Sequence, residues 1–299
     1  MENVYGERFM KVSQWIVMAF ILSSCFLTAC ASSRNKEDAR SPEEKKAMLY
    51  YEQGTQDLIS KNYTNALSNL QIAKDLYPSN DEIRNNLGMA LYLKGLKDKA
   101  KTEFEKALSL NNKNSDARNN LASLLIENKK YKEALEHLEY VVEDLTYTKK
   151  YRIYYNMGIA YKALGRPDLE LDYYQKSVEE NADYCPALFQ IGVYHNSQYE
   201  YSKALRAFEE ASKGPCTSEP APRFEAAQVL KKLNRTAEAQ KKFKEIIEKY
   251  AKTPYAPLAK NELRQLASES LTSRRDSSSE TEIILNEENL KPNYNTPAF

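Results

Sequence analysis

The chain has 299 residues, 28% of them charged, and a formal net charge of +1. That balance, with no dense Lys/Arg block, leaves no electrostatic case for binding nucleic acid. Eight glycines and eleven prolines against abundant Leu, Ala, Glu, Lys and Asn favour helices over strands, and the length suits one large domain or an array of small units.

The first element is an apolar run of thirteen residues, Trp15 to Leu27. A bilayer span needs about 20; this is the length of the apolar region of a secretory signal. Lys11 supplies the positive charge ahead of it. Met10 makes a better start than Met1, because residues 2–9 add Glu2 and Glu7 to a region that normally lacks acids. Leu27-Thr28-Ala29-Cys30 resembles the bacterial lipobox: a large aliphatic residue, two small ones that fit a peptidase in extended form, then the cysteine that is acylated. On this reading residues 1–29 are a lipoprotein signal peptide, and Cys30 becomes the lipidated first residue. Acyl chains contribute roughly 0.8 kcal/mol per buried methylene, so more than one chain anchors a protein without a transmembrane helix. Ala31, rather than an aspartate, follows the cysteine and points to the outer membrane, with the body facing the periplasm. Residues 30–42 read as a flexible tether.

From residue 43 to 269 a repeat governs the chain. Glycine or alanine marks it at Gly54, Gly88, Ala122, Gly158, Gly192 and Ala227, with spacings of 34, 34, 36, 34 and 35. Twelve residues after each marker stand Ala66, Ala100, Ala134, Glu170, Ala204 and Ala239. Four further on stand Leu70, Phe104, Leu138, Tyr174, Phe208 and Phe243. Small, small, then large apolar at this period resembles the tetratricopeptide repeat: two helices approach closely where small residues face each other, and the large one fills the gap. The expected fold is all-α, a tetratricopeptide-repeat superhelix of about six helix-turn-helix units over residues 47–252, closed by a C-terminal cap helix over 255–269. The fourth unit departs from the pattern. Glu170 and Ser177 stand where alanine is usual, and the loop before it, Leu145 to Lys150, carries two extra residues. Either that helix pair splays, or Glu170 reaches solvent along its stem. Residues 270–299 lack a useful helical period and read as a disordered tail.

Of four cysteines, Cys25 leaves with the signal peptide and Cys30 is lipidated. Cys185 opens the first helix of the fifth unit and Cys216 follows its second. Both therefore lie at one end of a helix hairpin, in an oxidising compartment, and are expected to pair as a disulfide. No sequence pattern of metal, phosphate, dinucleotide or nucleophile chemistry is present: two histidines, His137 and His195, lie 58 residues apart, and the acids fall on solvated helix faces. The reading is of a non-enzymatic protein that needs no cofactor and no metal.

A repeat array offers a groove lined by the first helix of each unit. Positions three before and one, four and five after each marker face it. They place Tyr51, Thr55, Leu58 and Ile59 in the first unit; Asn85, Met89 and Tyr92 in the second; Asn119, Ser123 and Ile126 in the third; Tyr155 in the fourth; and Phe189 in the fifth. Such a surface suits a partner segment, helical or extended, better than a small polar ligand. Asn85 and Asn119 can hold a partner backbone through their amides. The Lys/Arg positions with which some tetratricopeptide proteins clamp a terminal carboxylate are missing.

A lipidated six-unit body with a late cysteine pair, together with Arg84-Asn85-Asn86-Leu87 and Arg118-Asn119-Asn120-Leu121, resembles the pilotin lipoproteins of type IV pilus systems over about residues 20–269. The resemblance implies a protein that binds a secretin subunit through its groove and helps it assemble in the outer membrane. Two other readings remain open. One is a general envelope adaptor, of the barrel-assembly or hydrolase-recruiting kind, although of the linker typical of the barrel-assembly type only Thr253-Pro254-Tyr255-Ala256 is present. The other is an enzyme whose site leaves no sequence pattern.

Overall fold

The computed structural model of the protein describes residues 40–272 together with Pro297 and Ala298. The expected signal peptide, Cys30 and the tether to residue 39 lie outside the described residues, as does most of the expected tail. Thirteen α-helices and one short 3-10 turn, with no strand, make up the described residues. The chain divides into two units, residues 1–112 and 113–299.

The first unit holds α1 (Pro42–Ile59), α2 (Tyr63–Leu76), α3 (Asp81–Leu93) and α4 (Lys97–Leu110). Helix α1 starts where it does because Ser41 caps it. The Ser41 hydroxyl accepts from the Glu44 amide while the Glu44 carboxylate accepts from the Ser41 amide, and Pro42 occupies the first turn, where its missing N–H costs nothing. Asn80 caps α3 by accepting from the Ile83 amide at 2.9 Å. The second unit holds α5 (Ser115–Glu127), α6 (Tyr131–Val142), α7 (Lys150–Ala163), α8 (Pro167–Glu180), α9 (Cys185–Ser197), α10 (Tyr201–Glu210), α11 (Pro220–Lys232), α12 (Thr236–Lys249) and α13 (Tyr255–Thr272). Successive helices pair as hairpins. First helices of neighbouring repeats also touch, α1 with α3, α5 with α7 and α11 with α13.

The repeat signature is the packing itself. The large residues Leu70, Phe104, Leu138, Tyr174, Phe208 and Phe243 are all completely buried, as are the alanines at the preceding signature position. Each glycine marker faces the large residue of its own hairpin. A Cβ added to Gly88 would lie 2.6 Å from the Phe104 ring, and one added to Gly192 the same distance from Phe208. Any side chain there would force the helices apart.

The hairpin turns share a second device. Seven residues after each marker the backbone turns left-handed, at Lys61, Gly95, Lys129, Gly165, Tyr199 and Asn234, with φ between 58° and 78°. The amide of the following residue reaches back to the helix carbonyl five positions earlier, as Asn62 to Asp57 (2.8 Å), Lys130 to Leu125 (2.8 Å) and Glu200 to His195 (2.9 Å). This closing motif satisfies carbonyls that a helix end otherwise leaves unpaired. Glycine carries it without strain at two positions only, so sequence alone marks it weakly.

The fourth hairpin corrects both alternatives raised for it. Helices α7 and α8 do not splay: Gly158 still packs against the Tyr174 ring. Nor does Glu170 reach solvent. It is buried, with Lys162 Nζ 3.6 Å from its carboxylate, and burial holds its carboxyl above the usual range against the pull of Lys162. Ser177 is buried as well and donates to the Tyr151 carbonyl at 2.7 Å. The polar replacements are absorbed by partners inside the hairpin, because backing out of a packed interface would open a cavity. The two-residue insertion is absorbed in the loop. There Asp144 accepts from Ser115 and Thr146, and Asp116 accepts from Tyr147 and Lys149.

Helix α13 closes the second unit. Tyr255 is buried against Phe224, ring centres 5.4 Å apart. Buried Glu262 accepts from Gln228 at 2.7 Å and pairs with Lys231. Thus Tyr255 and Ala256 of the Thr-Pro-Tyr-Ala stretch open the cap helix.

Candidate functional site

In the first unit the expected groove residues lie on α1 and α3. Tyr51, Thr55, Leu58, Met89 and Tyr92 are half-buried, Ile59 is 70% exposed and Asn85 is buried. Polar groups join the two helices: Asn86 donates to the Thr55 hydroxyl at 2.9 Å, and Asn85 donates to Asn86 at 3.2 Å. The arginines of the two Arg-Asn-Asn-Leu stretches serve packing instead. Arg84 bonds Glu103 at 2.8 Å and the Pro78 carbonyl. Arg118 stacks on Tyr140, its guanidinium carbon 3.7 Å from the ring centre.

In the second unit Asn119, Ser123 and Ile126 on α5, Tyr155 on α7 and Phe189 on α9 are all buried. Asn119 and Ser123 meet a residue that the marker register did not select, Asn156 on α7. Its Nδ2 lies 2.9 Å from Asn119 Oδ1 and 3.0 Å from Ser123 Oγ. Thr55 and Asn86 stand at the equivalent repeat positions in the first unit, so this hydroxyl–amide pair recurs. The sequence signal for it was available: asparagine two residues before the marker at Asn86, Asn120 and Asn156.

These three side chains grip a piece of backbone. The Ala298 carbonyl accepts from Asn119 Nδ2 (2.9 Å), Ser123 Oγ (2.8 Å) and Asn156 Nδ2 (2.8 Å), and the Ala298 amide donates to Asn156 Oδ1 (2.6 Å). One asparagine amide thus satisfies both polar groups of one residue, as a neighbouring strand would. Beside it a cavity of about 560 Å³ is walled by Tyr155, Phe189, the Cys185–Cys216 bridge and Pro297. Cys185 and Cys216 are disulfide-bonded, with Cα atoms 6.2 Å apart, a separation ordinary for such a bridge. Aromatic rings pack at the cavity wall: Tyr155 edge-on to Tyr184 with centres 5.5 Å apart, and Phe189 tilted against Phe208 at 5.4 Å. Burial pushes the Tyr155 and Tyr184 hydroxyls well up, so both stay neutral. Such a site can hold an uncharged, extended peptide. Its donors are amides and a hydroxyl, and its walls are mostly apolar, with Ser218 and Glu219 also on the lining.

The histidines sit apart from this. His195 is paired with Glu200 at 2.6 Å, and His137 lies 3.5 Å from Arg118. Among the described residues no group of three or more His, Cys, Asp or Glu is placed to hold a metal ion. No helix among them is long and apolar enough to cross a membrane.

Comparison with known proteins agrees with this architecture. Tetratricopeptide-repeat models match residues 98–146, residues 81–114 and 151–184, and residues 223–253. The type IV pilus assembly protein PilF of Pseudomonas aeruginosa is 24% identical over 190 residues, which are 63% of this chain and 75% of that one. The solved structure of P. aeruginosa PilF superposes with a TM-score of 0.63 at 19% identity, covering 74% of this chain and 100% of that one. PilW, a widely conserved type IV pilus biogenesis factor, superposes equally well, with a TM-score of 0.63 at 16% identity over 74% and 98%. The chain is a tetratricopeptide-repeat protein with sequence homology to PilF and the fold of PilF and PilW.

Proposed function

We propose that this chain is a non-enzymatic scaffold of type IV pilus biogenesis, lipid-anchored through Cys30 to the outer membrane and facing the periplasm. It binds a segment of a secretin subunit in its groove and promotes assembly of the secretin ring. The observation that carries the binding role is the backbone cradle of Asn119, Ser123 and Asn156, set beside an apolar cavity. Where an extended segment is held by its backbone, those bonds give affinity and the neighbouring pockets give selectivity. Homology to PilF supports the pilus assignment, and the lipobox supports the anchor. In the first unit, half-buried Leu58 and Tyr92 offer an apolar surface of their own. A surface of this kind has lower free energy when covered, at about 25 cal/mol per Å² of apolar area removed from water.

Two variants test the proposal. Cys30→Ala should lose fatty-acid labelling and leave the outer-membrane fraction; a variant still labelled and membrane-bound refutes the anchor. Leu58→Lys with Tyr92→Lys should keep its circular dichroism and its lipid, yet lose secretin multimers on gels of unboiled membranes. Wild-type multimer levels from a folded double variant refute the groove of the first unit as a secretin site.

A further inference from the structure

We propose that the C-terminal segment of this chain is an intramolecular ligand of the groove in its second unit, which an incoming partner peptide must displace. The inference rests on reading that groove as a peptide site and adds how access to it is regulated.

Pro297 and Ala298 carry the argument. Their contacts are those of a bound peptide rather than of a chain end lying on a surface. Both main-chain polar groups of Ala298 are bonded to one side-chain amide, and its carbonyl takes two further donors. All three side chains that provide these bonds, Asn119, Ser123 and Asn156, are completely buried. Buried polar groups demand partners, and besides bonding one another these three bond peptide backbone. Backbone bonds ignore side-chain identity, so the same cradle accepts another extended segment equally well. Pro297 adds an apolar contact. It is buried and borders the cavity walled by Tyr155, Phe189 and the disulfide, and proline has no N–H to lose on burial. The cavity beside it, about 560 Å³, has room for a larger apolar side chain. A partner that fills it replaces the tail with better contacts at the same backbone bonds. The site therefore fits an extended peptide segment with an apolar side chain at the cavity, where Glu219 on the lining disfavours an acidic one.

Geometry permits the tail to dock in its own chain. Twenty-four residues, 273–296, join α13 to Pro297, and that length can span up to roughly 80 Å. A tethered ligand acts at an effective concentration of order millimolar. An untethered peptide must then compete with it.

The probe is a dye-labelled peptide of residues Lys291–Phe299, KPNYNTPAF, read by fluorescence anisotropy. It is titrated into the full chain in detergent and into a chain ending at Leu290. The truncated chain should bind it, and the full chain at least ten-fold more weakly. Asn156→Ala in the truncated chain should abolish binding. Because that variant alters a buried residue, a second arm leaves the body intact. A probe with Ala298→Pro lacks the amide that Asn156 accepts and should bind at least ten-fold more weakly. The full chain carrying Ala298→Pro should bind the unaltered probe as tightly as the truncated chain does. Equal affinity of full and truncated chains, no binding to the truncated chain, or undiminished binding of the Ala298→Pro probe overturns the proposal. So does a tail-dependent dimer in sedimentation velocity, which would place the tail in a second copy. No secretin enters this assay. No binding to the truncated chain removes the reading of this groove as a peptide site, whereas equal affinity of the two chains removes only the tail's role.

Discussion

Removing the disulfide should weaken the fifth repeat more than its neighbours. The bridge joins Cys185, the first residue of α9, to Cys216 in the turn after α10, 31 residues apart in sequence. In the chain-entropy model a loop of that length contributes 2.1 + 1.5R ln n, about 12 cal/mol/K, or about 3.7 kcal/mol at 25 °C. Because Cys216 is buried, replacement by alanine avoids adding a hydroxyl to that site, so the perturbation is Cys185→Ala with Cys216→Ala. With a urea dependence of about 2 kcal/mol/M the midpoint should fall by roughly 2 M. A repeat array transmits such a loss only to adjacent repeats. Amides of α9 and α10 should therefore exchange faster first, while helicity at zero denaturant is kept. Circular dichroism in urea and hydrogen exchange measure the two effects. Reductant should carry the wild type to the variant's midpoint and leave the variant unmoved. Should the variant and wild type unfold together, with reductant moving neither, the loop-closure reasoning is wrong.

Four further outcomes are expected. Gly88→Ala should lower stability by about 1–3 kcal/mol, since its Cβ would meet the buried Phe104 ring 2.6 Å away; helix propensity alone predicts the opposite sign, so a urea midpoint decides. Gly95→Ala has nothing within 4 Å to strike, yet φ is +78°, so it should cost about 1 kcal/mol from backbone strain alone. Tyr174→Phe should stabilise by about 1 kcal/mol, because the Tyr174 hydroxyl is buried with no hydrogen-bond partner among the described residues. Glu170→Gln should be more stable than wild type at pH 7. Burial raises the Glu170 carboxyl above its ordinary 4.5 in the folded state, so the folded protein binds that proton more tightly. The stability this proton linkage contributes is full below 4.5 and lost as pH rises through the folded value. The advantage of the glutamine should therefore shrink as pH falls, which thermal melts across pH 4–7 will show.

The hairpin architecture was legible because its physics is local and recurrent. A marker that must be small and a large residue sixteen positions on, as in Gly88 and Phe104, repeat at a fixed period whatever the rest of the sequence does. Helix count, the closing helix and the position of Cys185 and Cys216 at one hairpin end all follow from that register. The same register puts Asn119, Tyr155 and Phe189 at corresponding positions of first helices, and in the second unit they lie on α5, α7 and α9.

It did not find Asn156. That residue matters through contacts made in three dimensions, to Asn119 and Ser123 thirty-odd residues earlier and to Ala298 at the far end of the chain. Asparagine does recur two residues before the marker, at Asn86, Asn120 and Asn156, but no periodic pattern encodes the contact with Ala298, which is made once. Nor could composition say what a buried Glu170 would do. A carboxylate at an alanine position reads as strain or escape to solvent, and only the placement of Lys162 on the facing helix leaves it inside. Repeating contacts are written into sequence because each copy must satisfy the same packing. Single contacts between distant segments depend on where the fold happens to bring them together.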